Sequence, residues 1–81
     1  MTADLIEKFV ESKTAAGQPV SIFFKQRSTI TGLFIQGYDY NEMKAKNFWR
    51  IVSEAKIAEW KQTKDINLAR LFSGSDFSKL K

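Results

Sequence analysis

Val20-Ser21-Ile22-Phe23-Phe24, then Lys25-Gln26-Arg27-Ser28, then Thr29-Ile30-Thr31-Gly32-Leu33-Phe34-Ile35: these sixteen residues decide how the chain folds. The first run alternates, with Val20, Ile22 and Phe24 on one face. It is rich in β-branched and aromatic types, as a half-buried strand requires. The middle four residues are polar and read as a turn. The last run is again strand-forming, but Gly32 lies in its interior, where the missing side chain weakens pairing and marks a bulge or sharp bend. A bend there lets one long strand serve both halves of a small barrel. Gly37 offers a second place for the chain to kink.

Upstream, residues 2–16 read as a helix. Thr2 or Asp4 can cap its start, and Asp4 and Glu7 lie where the positive end of the helix dipole favours acids. Leu5, Ile6, Phe9 and Val10 form one apolar stripe, which is expected to dock on the sheet. Gly17 is a natural C-cap, and Pro19 prevents continuation while pushing Gln18 toward extended backbone.

Downstream, Tyr38 to Asn47 is polar, with turn-formers near its start, and reads as a weak edge strand or a long loop. Phe48–Val52 is a strand with apolar groups on both faces. Ser53-Glu54-Ala55 reads as a turn and Lys56–Trp60 as a second strand, so the two runs are expected to form a hairpin. Beyond it, Asp65 can cap a short helix carrying Ile66, Leu68, Leu71 and Phe72. The alternation Ile66, Leu68, Arg70 fits a strand equally well. Ser73-Gly74-Ser75 interrupts either reading. The expectation is one domain over residues 1–81: helix at 2–17, barrel at 19–60, and a C-terminal extension at 61–81 that is helix or extra strand.

Composition narrows the class. A chain of 81 residues buries only about 60% of the surface its unfolded form exposes, so assembly would help its stability. With 43% apolar and 14% aromatic residues it can build a core. No stretch has the length of a membrane span, and Met1-Thr2-Ala3-Asp4 is not a signal peptide. With no cysteine either, a cytoplasmic location and no membrane partner are expected.

Thirteen Lys and Arg against nine Asp and Glu give a formal charge of +4, a tilt that suits polyanions and equally suits simple solubility. The excess lies in the centre, where Lys25, Arg27, Lys44, Lys46 and Arg50 face only Asp39 and Glu42. With no histidine and no cysteine the chain lacks the usual nucleophiles, bases and transition-metal ligands. It has neither G-x-G-x-x-G nor G-K-[ST], and no carboxylates at a diagnostic spacing. No enzyme activity, catalytic residue, metal or cofactor is expected. The positive signal is aromatic residues interleaved with bases, at Phe23-Phe24-Lys25-Gln26-Arg27, Tyr38 to Lys46 and Phe48-Trp49-Arg50. Single-stranded nucleic acid calls for that mixture, because bases stack on rings while cations follow the phosphates. Phe24, Phe48 and Trp49 are expected in the core, as strand aromatics commonly are.

The run Pro19-Val20-Ser21-Ile22-Phe23-Phe24 resembles the first barrel strand of the Hfq-like branch of the Sm-like RNA-binding family. The spacing continues through Gly32 to the aromatic–Asp pair Tyr38-Asp39, within a resemblance over residues 4–60. Three features depart from the pattern. The interval from Gly32 to Asp39 is one residue longer than the family's, and residues 41–46 are polar where the family has an apolar third strand. Ser53-Glu54-Ala55-Lys56 stands where the family has a Lys-His pair that contacts uridine-rich RNA.

The resemblance implies a helix followed by a small five-stranded, strongly bent antiparallel barrel of the Sm or Src-homology-3 kind. It also implies a homo-oligomeric ring joined through barrel edge strands, and a non-catalytic role in binding single-stranded RNA as a post-transcriptional regulator. Tyr40 and Asn41 are the expected base contacts. Lys25, Arg27, Lys44 and Lys46 are expected on the phosphates, with Lys56 a nearby cation. The alternative is a protein-interaction module that kept the barrel and lost the RNA site.

Overall fold

The structure, a computed structural model, describes residues 1–14 and 17–81. Helix α1 (Ala3–Thr14) is followed by strands β1 (Val20–Phe24) and β2 (Ile30–Ile35), helix α2 (Tyr40–Ala45) and strand β3 (Phe48–Ser53). Helix α3 (Ile57–Thr63) then precedes strands β4 (Ala69–Ser73) and β5 (Phe77–Leu80), with 3₁₀ turns at Glu54–Lys56, Ile66–Leu68 and Gly74–Asp76. The start of α1 is where the sequence placed it, and the Thr2 hydroxyl accepts from the Leu5 amide at 3.4 Å. The expected helical residues Ala15 and Ala16 lie outside the described residues. Gly17 has a φ of +65°, the left-handed backbone that glycine adopts without strain.

The five strands form one antiparallel sheet in the order β4-β3-β2-β1-β5. It is open: β4 and β5 are its borders, and no pairing joins them among the described residues. Gly32 is the pivot of the sheet. It opposes Val20 in the β1 ladder and Ser53 in the β3 ladder, so residues 30–32 pair with β1 while 32–35 pair with β3. A Cβ at Gly32 would come within 2.5 Å of Ile51 Cγ2 and 2.9 Å of the Val52 carbonyl oxygen. Only a residue without a side chain lets β2 and β3 approach this closely.

Alternation along the strands builds apolar clusters on both faces. On one face Val20, Ile22, Phe34, Trp49, Ile51 and Phe77 are buried, covered by Ile6 and Val10 of α1. On the other, Leu33, Ile35 and Val52 are covered by Ile57 and Trp60 of α3, with Ile66. Phe24 and Trp49 are core as expected, whereas Phe48 is 37% exposed. Phe48 precedes Trp49 on β3 and therefore points to the opposite face, beyond the reach of α3.

Three expectations are corrected. Residues 40–45 are helical rather than strand or loop: Tyr40 and Met43, three apart, turn toward the body of the protein, and Glu42 meets Lys46 one turn later. Lys56–Trp60 is not the second arm of a hairpin. Ile57 and Trp60 fall at i and i+3, and Ala58, Glu59, Lys61 and Gln62 are good helix formers, so the segment turns as α3 and packs both apolar groups on β2 and β3. The β3 partner is instead β4, with Trp49 opposite Phe72 and Ile51 opposite Arg70. The barrel expected within 19–60 is therefore an open sheet that runs past residue 60, as the extra-strand reading of 61–81 allowed. The segment 61–81 supplies β4 and β5, both borders of the sheet. No helix among the described residues is long and apolar enough to cross a membrane.

Candidate nucleic-acid interface

The residues expected to bind RNA fall into two groups. Tyr40, Asn41, Lys44 and Lys46 are on or next to α2, and Lys25 and Arg27 are on the β1–β2 turn. No hydrogen bond, ion pair or ring contact joins the groups among the described residues. The Tyr40 ring is half-buried, edge-on to Trp49 at 6.1 Å, with Lys44 Nζ 5.2 Å from its centre. Its hydroxyl is buried and has no hydrogen-bond partner among the described residues. Burial pushes the phenol above its ordinary value, and the Glu11 carboxylate adds to the effect. The ring packs against the same core cluster as Trp49. Asn41 beside it is exposed.

The cations of this segment are largely engaged. Lys44 Nζ donates to Glu7 Oε1 at 3.0 Å, tying α2 to α1. That bond lowers the Glu7 carboxyl and raises the Lys44 ammonium. Lys46 lies 3.7 Å from Glu42, and Arg50 Nη1 donates to Asp39 Oδ1 at 2.6 Å. Of the five central cations, only Lys25 and Arg27 make no ion pair among the described residues.

Arg27 leads to a different site. Its guanidinium carbon lies 5.0 Å from the centre of the Phe24 ring and 5.7 Å from that of Phe72, a cation–π arrangement that steadies it. From there an open pocket of about 260 Å³ runs toward β4, with Arg27, Lys56, Arg70, Asn67 and Phe72 among its walls. No carboxylate lines it, and none of the three cations makes an ion pair among the described residues. Asn67 is held in place because its backbone N–H donates to Asp65 Oδ1 at 3.0 Å. An aromatic wall, a carboxamide that can both donate and accept, and three unneutralised cations make a site for an anion carrying a planar group.

A larger groove of about 740 Å³ lies between β2 and α3; unlike the β4 pocket, it has an acid, Glu11, among its walls beside Lys61 and Lys64. On the α3 face of the sheet, Phe48 and Leu71 stay 37% and 48% exposed, and Tyr38 at the end of β2 is 89% exposed, beside Arg50.

Of the walls of the β4 pocket, the sequence offers Arg27 for phosphate contact and Lys56 as a nearby cation, and does not single out Asn67, Arg70 or Phe72 as site residues. The available signal was the alternation Leu68, Arg70, Phe72, which sets a charged residue between two apolar ones on one strand face. Compared with known proteins, the chain matches no family model, no curated protein and no solved structure.

Proposed function

We propose that this chain is a non-catalytic, Sm-like RNA-binding domain whose curled sheet is a barrel left open between β4 and β5. Its binding site is the pocket at β4, not α2. The observation that carries this reading is that Arg27, Lys56, Arg70 and Phe72 line one pocket with no acid among its walls in the described residues. Like charges gathered without a counter-charge repel one another, and a bound polyanion relieves that repulsion. Phe72 supplies the stacking surface that separates nucleic-acid binding from plain anion binding. The family-like register from Pro19 through Gly32 to Tyr38-Asp39 supports RNA as the polyanion.

Self-assembly is part of the reading. Both sheet borders carry unpaired backbone groups, and Leu71 and Phe48 expose apolar surface alongside β4. A β4 border pairing with the β5 border of another copy would satisfy the backbone and cover that surface.

The test is titration of A-rich and U-rich RNA hexamers at two salt concentrations, with mass in solution measured in parallel. Binding should weaken with salt, and Arg70→Gln and Lys56→Gln should each reduce both the affinity and the salt slope. Lys44→Gln should leave RNA binding unchanged. Salt-independent binding, or none, would sink the reading. A strict monomer that still bound RNA would remove only the assembly.

A further inference from the structure

We infer that the pocket at β4 receives the phosphorylated end of an RNA strand rather than an internal linkage. The inference rests on the RNA-binding reading and names which part of the strand is held. Charge is the first argument. An internal phosphodiester carries a single negative charge, whereas a terminal phosphomonoester carries about −1.5 to −2 at pH 7 and has three strong acceptor oxygens. Arg27, Lys56 and Arg70 all line one small space, and among the described residues no carboxylate lines it. That surplus matches a terminal phosphate better than a passing one.

Shape is the second argument. Proteins that follow a single strand use an extended groove with aromatic rings set in succession, covering about 4 or more nucleotides. Here the space is about 260 Å³ and its one aromatic wall is Phe72. Behind Phe72 stands Phe24, with ring centres 5.8 Å apart, and Arg27 lies against both rings. A space this small, with this cluster on one side, suits a strand's end better than a strand passing through. The inferred occupant is one terminal nucleotide, its base toward Phe72 and Asn67 and its phosphate toward the cations.

Calorimetric titration with three unlabelled hexamers of one sequence tests this. They carry a 5′-phosphate, a 3′-phosphate, or hydroxyls at both ends. One phosphorylated hexamer should bind about tenfold more tightly than the hydroxyl-ended one, through added charge-assisted hydrogen bonds. Which of the two does so identifies the end. In Arg70→Gln and Lys56→Gln, both exposed positions, the ratio between phosphorylated and hydroxyl ends should fall toward one.

Equal affinity for all three hexamers overturns the terminal-phosphate inference and leaves RNA binding standing. Failure of all three to bind overturns both. A phosphate preference that survives both substitutions overturns the placement in this pocket.

Discussion

The Phe24 ring on β1 lies 5.8 Å from the Phe72 ring on β4, although β2 and β3 stand between those strands in the sheet. In a flat sheet, strands three places apart are separated by about 14 Å. Contact between the rings requires the sheet to curl around its α1-covered face, and Arg27 closes over the pair from the β1–β2 turn.

Phe72 holds this ring contact and, in the proposed reading, the stacking face, and substitution can separate the two. Phe72→Ala removes the ring contact from a half-buried position and should lower stability by about 2 kcal/mol in urea denaturation. Phe72→Leu keeps most of the volume and should stay within about 1 kcal/mol of the wild type. Both should weaken RNA binding alike, because neither presents a stacking face.

Gly32→Ala should destabilise by about 1–3 kcal/mol, because the added Cβ meets a backbone oxygen as well as the flexible end of Ile51. Thermal denaturation should show the midpoint falling on the order of 10 °C.

Tyr40→Phe should be neutral or stabilising by up to about 1 kcal/mol, since it removes a buried hydroxyl that has no partner among the described residues. RNA affinity should not change. Where α1 meets α2, three groups contribute to the pH dependence. Tyr40, raised chiefly by burial, and Lys44, raised chiefly by its bond to Glu7, bind their protons more tightly in the folded state. Their contributions are complete below the ordinary values of 10.0 and 10.5 and are lost as pH rises through the raised ones. Glu7, lowered chiefly by Lys44, contributes above the ordinary 4.5, and that contribution disappears as pH falls through the lowered value. Denaturation midpoints across pH should show both losses. Glu7→Gln should remove the acid one together with the Lys44 share of the alkaline one, and Tyr40→Phe should remove the remainder.

Asn47→Ala should cost about 2–4 kcal/mol. The Asn47 Oδ1 accepts from Trp49 Nε1 at 2.8 Å, its Nδ2 donates to the Met1 carbonyl at 3.1 Å, and its φ is +61°. Alanine orphans the indole donor and strains the backbone. Asn47→Gly relieves the strain alone and should cost less, so the two denaturation curves separate the contributions.

The elements legible in the sequence were those with long, unambiguous patterns. The α1 stripe and the β1 alternation state their period plainly, and Gly32 could be read as a bend because nothing else explains a glycine inside a strand. The two short helices were obscure for a physical reason. In six or seven residues a 3.6 period shows only one apolar repeat, Tyr40 with Met43 or Ile57 with Trp60, which also fits a loop or a short strand. The pair β4 and β5 hid behind the Ser73-Gly74-Ser75 break and behind edge strands that carry polar groups on one face. The site was harder still. Arg27, Lys56, Asn67 and Arg70 come from four separate elements, and only the curl of the sheet brings the first within reach of the last. The cations of α2 looked available because Glu7, which engages Lys44, is 37 residues away.

The 3₁₀ turn Gly74–Asp76 joins two strands that are neighbours in the chain and opposite borders in the sheet. Laid flat, those borders would stand about 19 Å apart. Four residue steps from Ser73 to Phe77 span at most about 14 Å when fully extended, and a 3₁₀ turn reaches less. The turn thus acts as a drawstring: its length sets how far the sheet can open, and with it the width of the pocket at β4. Two or three residues inserted there would slacken the curl without altering a single residue that lines the pocket.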